Sequence, residues 1–338
     1  MTEQEKIELR TKIDNVLIMH SAFKDAVERI QACYDGALSS ADPTCLAVLG
    51  ESRTGKSRAL EHFQNEYLQY RNAEGLTTPI LRIEVPSKPT VKGMLEELLH
   101  NIGDPSFDKG TESSKTIRLR KLMAESGTKM LILDEFQHFI DQASHNIQHH
   151  VADWLKILVE KTRVGLVVAG LPSCLNVILS NDQLTRRFMA PQRFKRFDWT
   201  VAEEQNEFRS ILFTLQEDLS PFDFPDLDSE DMSFRMYIAS GGLIGYVIKI
   251  LREATSIAVY ADTYTINLDM LHKAQQRAIL NVSQHAPAPF SRKFTLCPTQ
   301  EQVEEAMKLG VCEPQLPKRR SRAKNNFANL NMALNKSY

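Results

Sequence analysis

Tryptophan occurs only twice in the 338 residues, glycine fourteen times and cysteine five times. The cysteines (Cys33, Cys45, Cys174, Cys297 and Cys312) are odd in number and scattered. No pair has the C-x2-C spacing of a zinc site, so neither a disulfide framework nor a zinc site is legible, and reduced, buried thiols are expected. Long hydrophobic runs are missing as well. The longest, Val164 to Pro172, is far too short to span a bilayer. The chain opens Met-Thr-Glu-Gln-Glu-Lys, which is no signal peptide. A soluble, cytoplasmic protein with no membrane partner is the expectation. Charge of one sign is also lacking: 41 Lys and Arg against 43 Asp and Glu give a net charge of −2. That excludes a polycation that coats nucleic acid with its whole surface, but leaves room for a local basic face. What is present is ordinary globular composition, 42% apolar and 25% charged, in a length that suggests about two domains.

Apolar residues at helical spacing (Ile7, Ile13, Val16, Leu17, Phe23, Val27, Ile30) mark one or two helices at the start, ending in a turn-rich loop from Ser39 to Pro43. A short, continuous apolar run, Cys45–Leu49, is followed by three similar runs: Ile80–Val85, Met130–Leu133 and Val164–Ala169. Runs of this kind are strands buried on both faces. Helical segments lie between them, among them Arg58–Tyr70, Val91–Leu99 and His149–Val159. With a fifth strand expected over Phe194–Trp199, the pattern predicts an α/β fold with a five-stranded parallel sheet flanked by helices. After Thr200 the strand signal ends, and residues 201–218, 229–239, 243–258 and 267–281 read as amphipathic helices. The expected organisation is an N-terminal helical segment (1–40), an α/β core (41–200), a small all-helical lid (201–282) and a flexible or partner-binding tail (283–338). The tail carries Ala-Pro-Ala-Pro at 286–289 and a basic cluster, Lys318 to Lys324. That cluster suits DNA backbone, a protein partner or a solubilising role alike, and Phe327–Leu334 has the look of a short partner-binding helix.

Gly50-Glu51-Ser52-Arg53-Thr54-Gly55-Lys56-Ser57 matches G-x4-G-K-[ST], with a buried strand before it and a helix after it. Such a loop wraps phosphates in backbone N–H groups. Lys56 reaches the β- and γ-phosphates of ATP, and Ser57 ligates Mg2+. In Met130-Leu131-Ile132-Leu133-Asp134-Glu135 an apolar strand ends in two acids. Asp134 is placed to hold the magnesium ion through its water shell, and Glu135 to polarise an attacking water. The pair favours hydrolysis over transfer to a small acceptor.

Together with Leu184-Thr185-Arg186-Arg187-Phe188 and Ser240-Gly241-Gly242-Leu243-Ile244-Gly245, these motifs resemble an AAA+ ATPase. More narrowly, Gly-Glu-Ser-Arg-Thr-Gly-Lys-Ser and Leu-Ile-Leu-Asp-Glu-Phe-Gln-His resemble the TniB/TnsC family, ATP-dependent regulators of DNA transposition in CRISPR-associated or related transposons. The resemblance covers roughly residues 10 to 282. It implies that Arg187, with Arg186 as the alternative, is an arginine finger reaching the neighbouring subunit's nucleotide. It also implies assembly as a ring or helical filament around duplex DNA, with Lys92 and Thr111 at two helix starts facing the DNA. The nearby Lys88, Lys109 and Lys115 would add to the field. Binding should be independent of sequence and sensitive to salt. Transposase subunits and a target-selection protein of TniQ type are the implied partners.

Two positions depart from the wider AAA+ pattern. The lid helix begins Leu243-Ile244-Gly245-Tyr246 without an arginine, leaving Lys249 and Arg252 as cations that can substitute. The fourth strand is followed by Leu171-Pro172-Ser173, with Ser173 the nearest polar candidate for a sensor. Both departures predict slow turnover. Arg193, Lys195 and Arg196 interleave with Phe194 and Phe197, either as a nucleic-acid patch with stacking aromatics or as an edge strand with solvated cations. The competing functions are an AAA+ helicase loader or secretion-associated ATPase, and an interaction scaffold in which hydrolysis is vestigial.

Overall fold

The computed structural model describes residues 2–39, 43–73, 75–141, 145–280, 288–294 and 299–310. Five parallel strands form the central sheet: β1 (Cys45–Gly50), β4 (Ile80–Glu84), β5 (Met130–Asp134), β6 (Gly165–Gly170) and β7 (Gln192–Phe194), in the spatial order β4-β5-β6-β1-β7. A separate exposed hairpin, β2 (Tyr70–Asn72) and β3 (Gly75–Thr77), leads into β4.

Strand periodicity sorts the apolar side chains into two layers. Ala47, Leu49, Leu131, Leu133, Leu166 and Val168 face one side, where α4 (Val91–Asn101), α5 (Glu112–Glu125) and α7 (His145–Thr162) cover them. Leu46, Val48, Ile132, Val167 and Ala169 face the other, beneath α2 (Ser21–Ser39) and α3 (Lys56–Asn65). Burial on both faces is why these strands read as unbroken apolar runs.

The helical part comprises α10 (Ala202–Asp218), α11 (Glu230–Ser240), α12 (Ile244–Tyr260) and α13 (Leu268–Ala278), around a core of its own. Ile13, just after α1 (Glu3–Thr11), also belongs to that core, so the chain's start packs on the lid while α2 packs on the sheet. Among the described residues no single helix is long and apolar enough to cross a membrane.

Three sequence expectations change. The fifth strand ends at Phe194 rather than running to Trp199, because the Phe197 N–H bonds the Gly242 carbonyl (2.9 Å) and Phe197 and Trp199 enter the lid core. Part of the expected tail is packed rather than flexible: Phe290 and Phe294, with Val303 and Ala306 of a C-terminal helix (Gln300–Met307), are buried against the lid. Arg196 is not a solvated cation, as the site below shows. The basic cluster at 318–324, the helix-like piece at 327–334, Cys297 and Cys312 lie outside the described residues. Cys33, Cys45 and Cys174 are buried thiols, and burial pushes the Cys33 thiol up to about 11.

Candidate nucleotide site and two exposed helix starts

Both acids and the phosphate-binding loop come from the same end of the sheet, because parallel strands deliver their C-termini together. The loop leaves β1 at Gly50, where a Cβ would lie 2.3 Å from the Phe194 carbonyl oxygen, so glycine alone fits beside β7. Gly55, at φ +101°, turns the chain into α3, whose start has no side-chain cap. Its first N–H groups are therefore left to an anion, helped by the helix dipole. The Lys56 ammonium bonds the Gly50 and Glu51 carbonyls at 2.8 and 2.7 Å. Burial lowers its pKa, and the nearby Glu135 and Asp134 carboxylates oppose that shift.

Asp134, at the end of β5, is buried. Its Oδ2 is 2.9 Å from an Arg82 guanidinium nitrogen and its Oδ1 accepts the Glu135 N–H at 2.9 Å. Glu135 has φ +54°, a left-handed conformation that is costly for a residue with a side chain and that clusters at functional sites. Its side chain lines a cavity of about 490 Å³ between core and lid. The loop residues Ser52 to Arg58 form the floor of that cavity, Ile13, Val16, Ile18, His20 and Phe23 one wall, and Ile244, Gly245 and Ile248 of α12 the other. A polar, cationic floor with apolar walls suits a phosphate chain bearing an aromatic base.

Lys249 and Arg252 line the same cavity, since positions 245, 248, 249 and 252 share one face of α12. The lid therefore offers cations despite the missing arginine at its start. Ser173 sits in a short turn and does not line the cavity. For magnesium, the residues present fit: the Ser57 hydroxyl and the Asp134 carboxylate are hard oxygen donors beside a phosphate site, the small donor set this ion takes when phosphates complete its shell.

Three links went unseen in the sequence. The Gly245 N–H bonds the Arg53 carbonyl at 2.9 Å, and the Arg53 guanidinium stacks on Tyr246 at 5.0 Å, so the lid helix docks directly on the phosphate loop. Arg196 is buried: it pairs with the Glu51 carboxylate and donates to the carbonyls of Gly241 (3.2 Å), Met307 (2.6 Å) and Leu309 (3.2 Å). It thereby ties loop, lid and C-terminal helix together. His20 faces the cavity with a buried Nδ1 that has no partner, and burial lowers its pKa against the pull of Glu207.

The remaining predicted residues lie apart from the cavity. The Arg187 carbonyl accepts the Cys45 N–H (2.8 Å) at the start of β1, whereas the phosphate loop leaves its far end. Six strand residues separate the two backbone positions by roughly 16 Å. Lys92 is exposed in the first turn of α4, and Thr111 caps α5 by accepting the Ser114 N–H. Lys88 and Lys109 are exposed too. Lys115 is not: it is fully buried, held by Glu96 Oε1 (2.6 Å) and the Phe107 carbonyl (2.8 Å), and it adds nothing to a surface field. With the Arg118–Asp104 pair, it lays α5 alongside α4 in the same direction, so both helix starts face one side.

The model of a family described as bacterial TniB protein matches residues 10–199. The chain belongs to the TniB family. Its fold is that of the solved ORC and Cdc6 proteins. The ORC2 protein of Aeropyrum pernix, in ADPNP and ADP complexes, is similar at TM-score 0.58 and 15% identity over 81% of this chain and 73% of that one. Cdc6p of Pyrobaculum aerophilum is similar at TM-score 0.59 and 15% identity over 85% and 79%. A third, ORC1 of A. pernix solved in complex with DNA, has TM-score 0.57 and 15% identity over 79% and 69%. Among curated proteins no sequence matches.

Proposed function

We propose that this TniB-family chain is an ATP-dependent, DNA-binding regulator of transposition. In this reading it assembles on duplex DNA, hydrolyses ATP slowly at a site shared by neighbouring copies, and links a target-selection protein of TniQ type to the transposase. The observation that carries the reading is the convergence of Lys56, Asp134 and Glu135 under a lid that docks on the phosphate loop.

In the mechanism, Lys56 exchanges its bonds to the loop carbonyls for β- and γ-phosphate oxygens, gaining an anionic partner for a buried cation. Ser57 and Asp134 would hold Mg2+, which would supply charge neutralisation to the phosphates. Glu135 accepts the proton of the attacking water. Arg187 of one copy stabilises the charge that spreads over the γ-phosphoryl group of the next. Lys249 and Arg252 stand where the lid closes on the phosphates, a placement that favours turnover over a vestigial site.

Lys92, Lys88 and Lys109, with the Thr111 hydroxyl, present one or two phosphate contacts per copy on the side to which α4 and α5 both start. Many copies on one duplex multiply these weak contacts, which reconciles DNA binding with a net charge of −2. The test is imaging of the protein with duplex DNA and ATP or a non-hydrolysable analogue, beside a Lys92→Glu variant. DNA-dependent rings or filaments that Lys92→Glu loses, with nucleotide binding intact, support the proposal. ATP-dependent binding to a helicase without DNA points instead to a loader, and bound nucleotide that never turns over to a scaffold.

A further inference from the structure

We infer that Gln137 is the positioning residue for Glu135, coupling the carboxylate that activates water to the end of the neighbouring strand β6. The inference rests on reading Glu135 as that base. The side-chain amide of Gln137 is buried and engaged at both ends. Its Oε1 accepts the Leu171 N–H at 3.2 Å, and its Nε2 donates to Glu135 Oε2. Leu171 settles which way the amide points. An N–H can face only the acceptor end, so the donor end faces the carboxylate.

The surroundings leave the amide no other place. Its backbone is held on both sides, by Phe136 N–H to the Ala169 carbonyl (2.9 Å) and by Ile140 N–H to the Gln137 carbonyl (2.7 Å). Gly170, the last residue of β6, gives way to it: a Cβ there would lie 2.2 Å from Gln137 Oε1 and 2.6 Å from Cys174 Sγ. A glycine that admits one amide, and an amide satisfied at both ends, is costly to assemble where an apolar side chain would pack without cost. The return lies at Glu135. One carboxylate oxygen is fixed by Gln137, which sets the plane and rotation of the group and leaves Oε1 to accept a proton from water. The left-handed backbone of Glu135 restricts the side chain from the other end. A shift at the end of β6 is thereby carried to Glu135 through two hydrogen bonds.

The experiment uses the full-length protein with duplex DNA at concentrations that support assembly. Gln137→Met keeps the length of the side chain and removes both amide ends. It should lower kcat at least tenfold and leave KM and the affinity for a fluorescent ATP analogue within twofold. Gln137→Glu keeps an acceptor for Leu171 but turns the donor into a like charge against Glu135, and should lower kcat as far or further. It serves as the second variant if Gln137→Met folds poorly. In a Glu135→Ala background, Gln137→Met should lower the single-turnover rate no further, because the group it positions is gone. Additive losses, or a loss of nucleotide affinity equal to the loss of turnover, would mean that Gln137 only braces the fold, and would overturn the inference. An unchanged kcat in Gln137→Met, with Glu135→Ala inactive, overturns the inference and leaves the role of Glu135 standing. Hydrolysis by Glu135→Ala at the wild-type rate removes that role itself.

Discussion

Replacing Gly245 by alanine tests how the lid is seated on the phosphate loop. An added Cβ would lie 2.7 Å from Arg53 Cβ, 2.8 Å from its carbonyl oxygen and 3.1 Å from its Cα. Two of these are backbone atoms, and Arg53 is already at φ +68°, so the loop has little freedom to yield. The lid must withdraw by about 1 Å to restore ordinary contact distances. That movement breaks the 2.9 Å bond from the Gly245 N–H to Arg53, worth about 1 kcal/mol. It also draws Ile244, Ile248, Lys249 and Arg252 away from the nucleotide. Alanine is the better helix former by up to about 1 kcal/mol, which offsets part of the crowding and keeps the overall stability close to wild type. The defect should therefore appear in binding: an ATP affinity lower by about tenfold, or roughly 1.4 kcal/mol. Titration with a fluorescent ATP analogue, alongside thermal unfolding, reads both quantities. Affinity within twofold of wild type in a folded Gly245→Ala protein would refute the seating described.

Three further outcomes are expected. Arg196→Met should strip three carbonyls of their donor, about 1 kcal/mol each, and raise amide hydrogen exchange in the helix Gln300–Met307 while the sheet stays protected. The half-exposed Glu51 left behind can be solvated, so its own contribution to the loss is small. His20 has a pKa below its ordinary value of about 6.5, so the folded state binds fewer protons than the unfolded state once the pH falls below that value. Its contribution to stability is present above pH 6.5 and is lost as the pH drops toward the lower folded value; His20→Phe should flatten that limb of an unfolding-versus-pH curve. For Lys92→Glu, the log–log salt slope of duplex binding should fall by about one phosphate's worth, roughly 0.9, per copy engaged, and an unchanged slope would remove Lys92 from the DNA face.

Strands β1, β5 and β6 were legible because each is buried on both faces and reads as an apolar run, and β4, at the sheet edge, because its apolar residues still outnumber Arg82 and Glu84. The nucleotide motifs were legible because their spacing is set by the phosphate chain itself. What escaped depends on contacts distant in sequence. Phe194, Phe197 and Trp199 look like one strand, yet only Phe194 stays in the sheet, and the other two fill the core of a lid built from later residues. Lys115 and Arg196 read as surface charge because their partners stand 19 and 145 residues away. The hairpin Tyr70–Thr77 has exposed or half-exposed strands of three residues, too short to carry a periodic signal. Lys249 and Arg252 were named from the sequence as substitute cations, and they line the cavity because their spacing from Gly245 places them on one helical face. Nothing in the residue pattern marks His20 or Gln137, whose roles arise from burial and from what the fold puts around them: an unpartnered ring nitrogen in His20, and bonds to Leu171 and Glu135 in Gln137.

The shared site is the claim on which the account depends, and one mixing measurement addresses it. Arg187→Ala protein keeps Glu135 and lacks the finger; Glu135→Gln protein keeps the finger and lacks the base. Each alone, assembled with ATP and duplex DNA, should hydrolyse ATP at a small fraction of the wild-type rate. Mixed in equal amounts, random assembly through a head-to-tail interface makes roughly a quarter of the sites complete, and turnover should recover to about that fraction of wild type. A mixture no faster than the average of its two components would contradict the shared site.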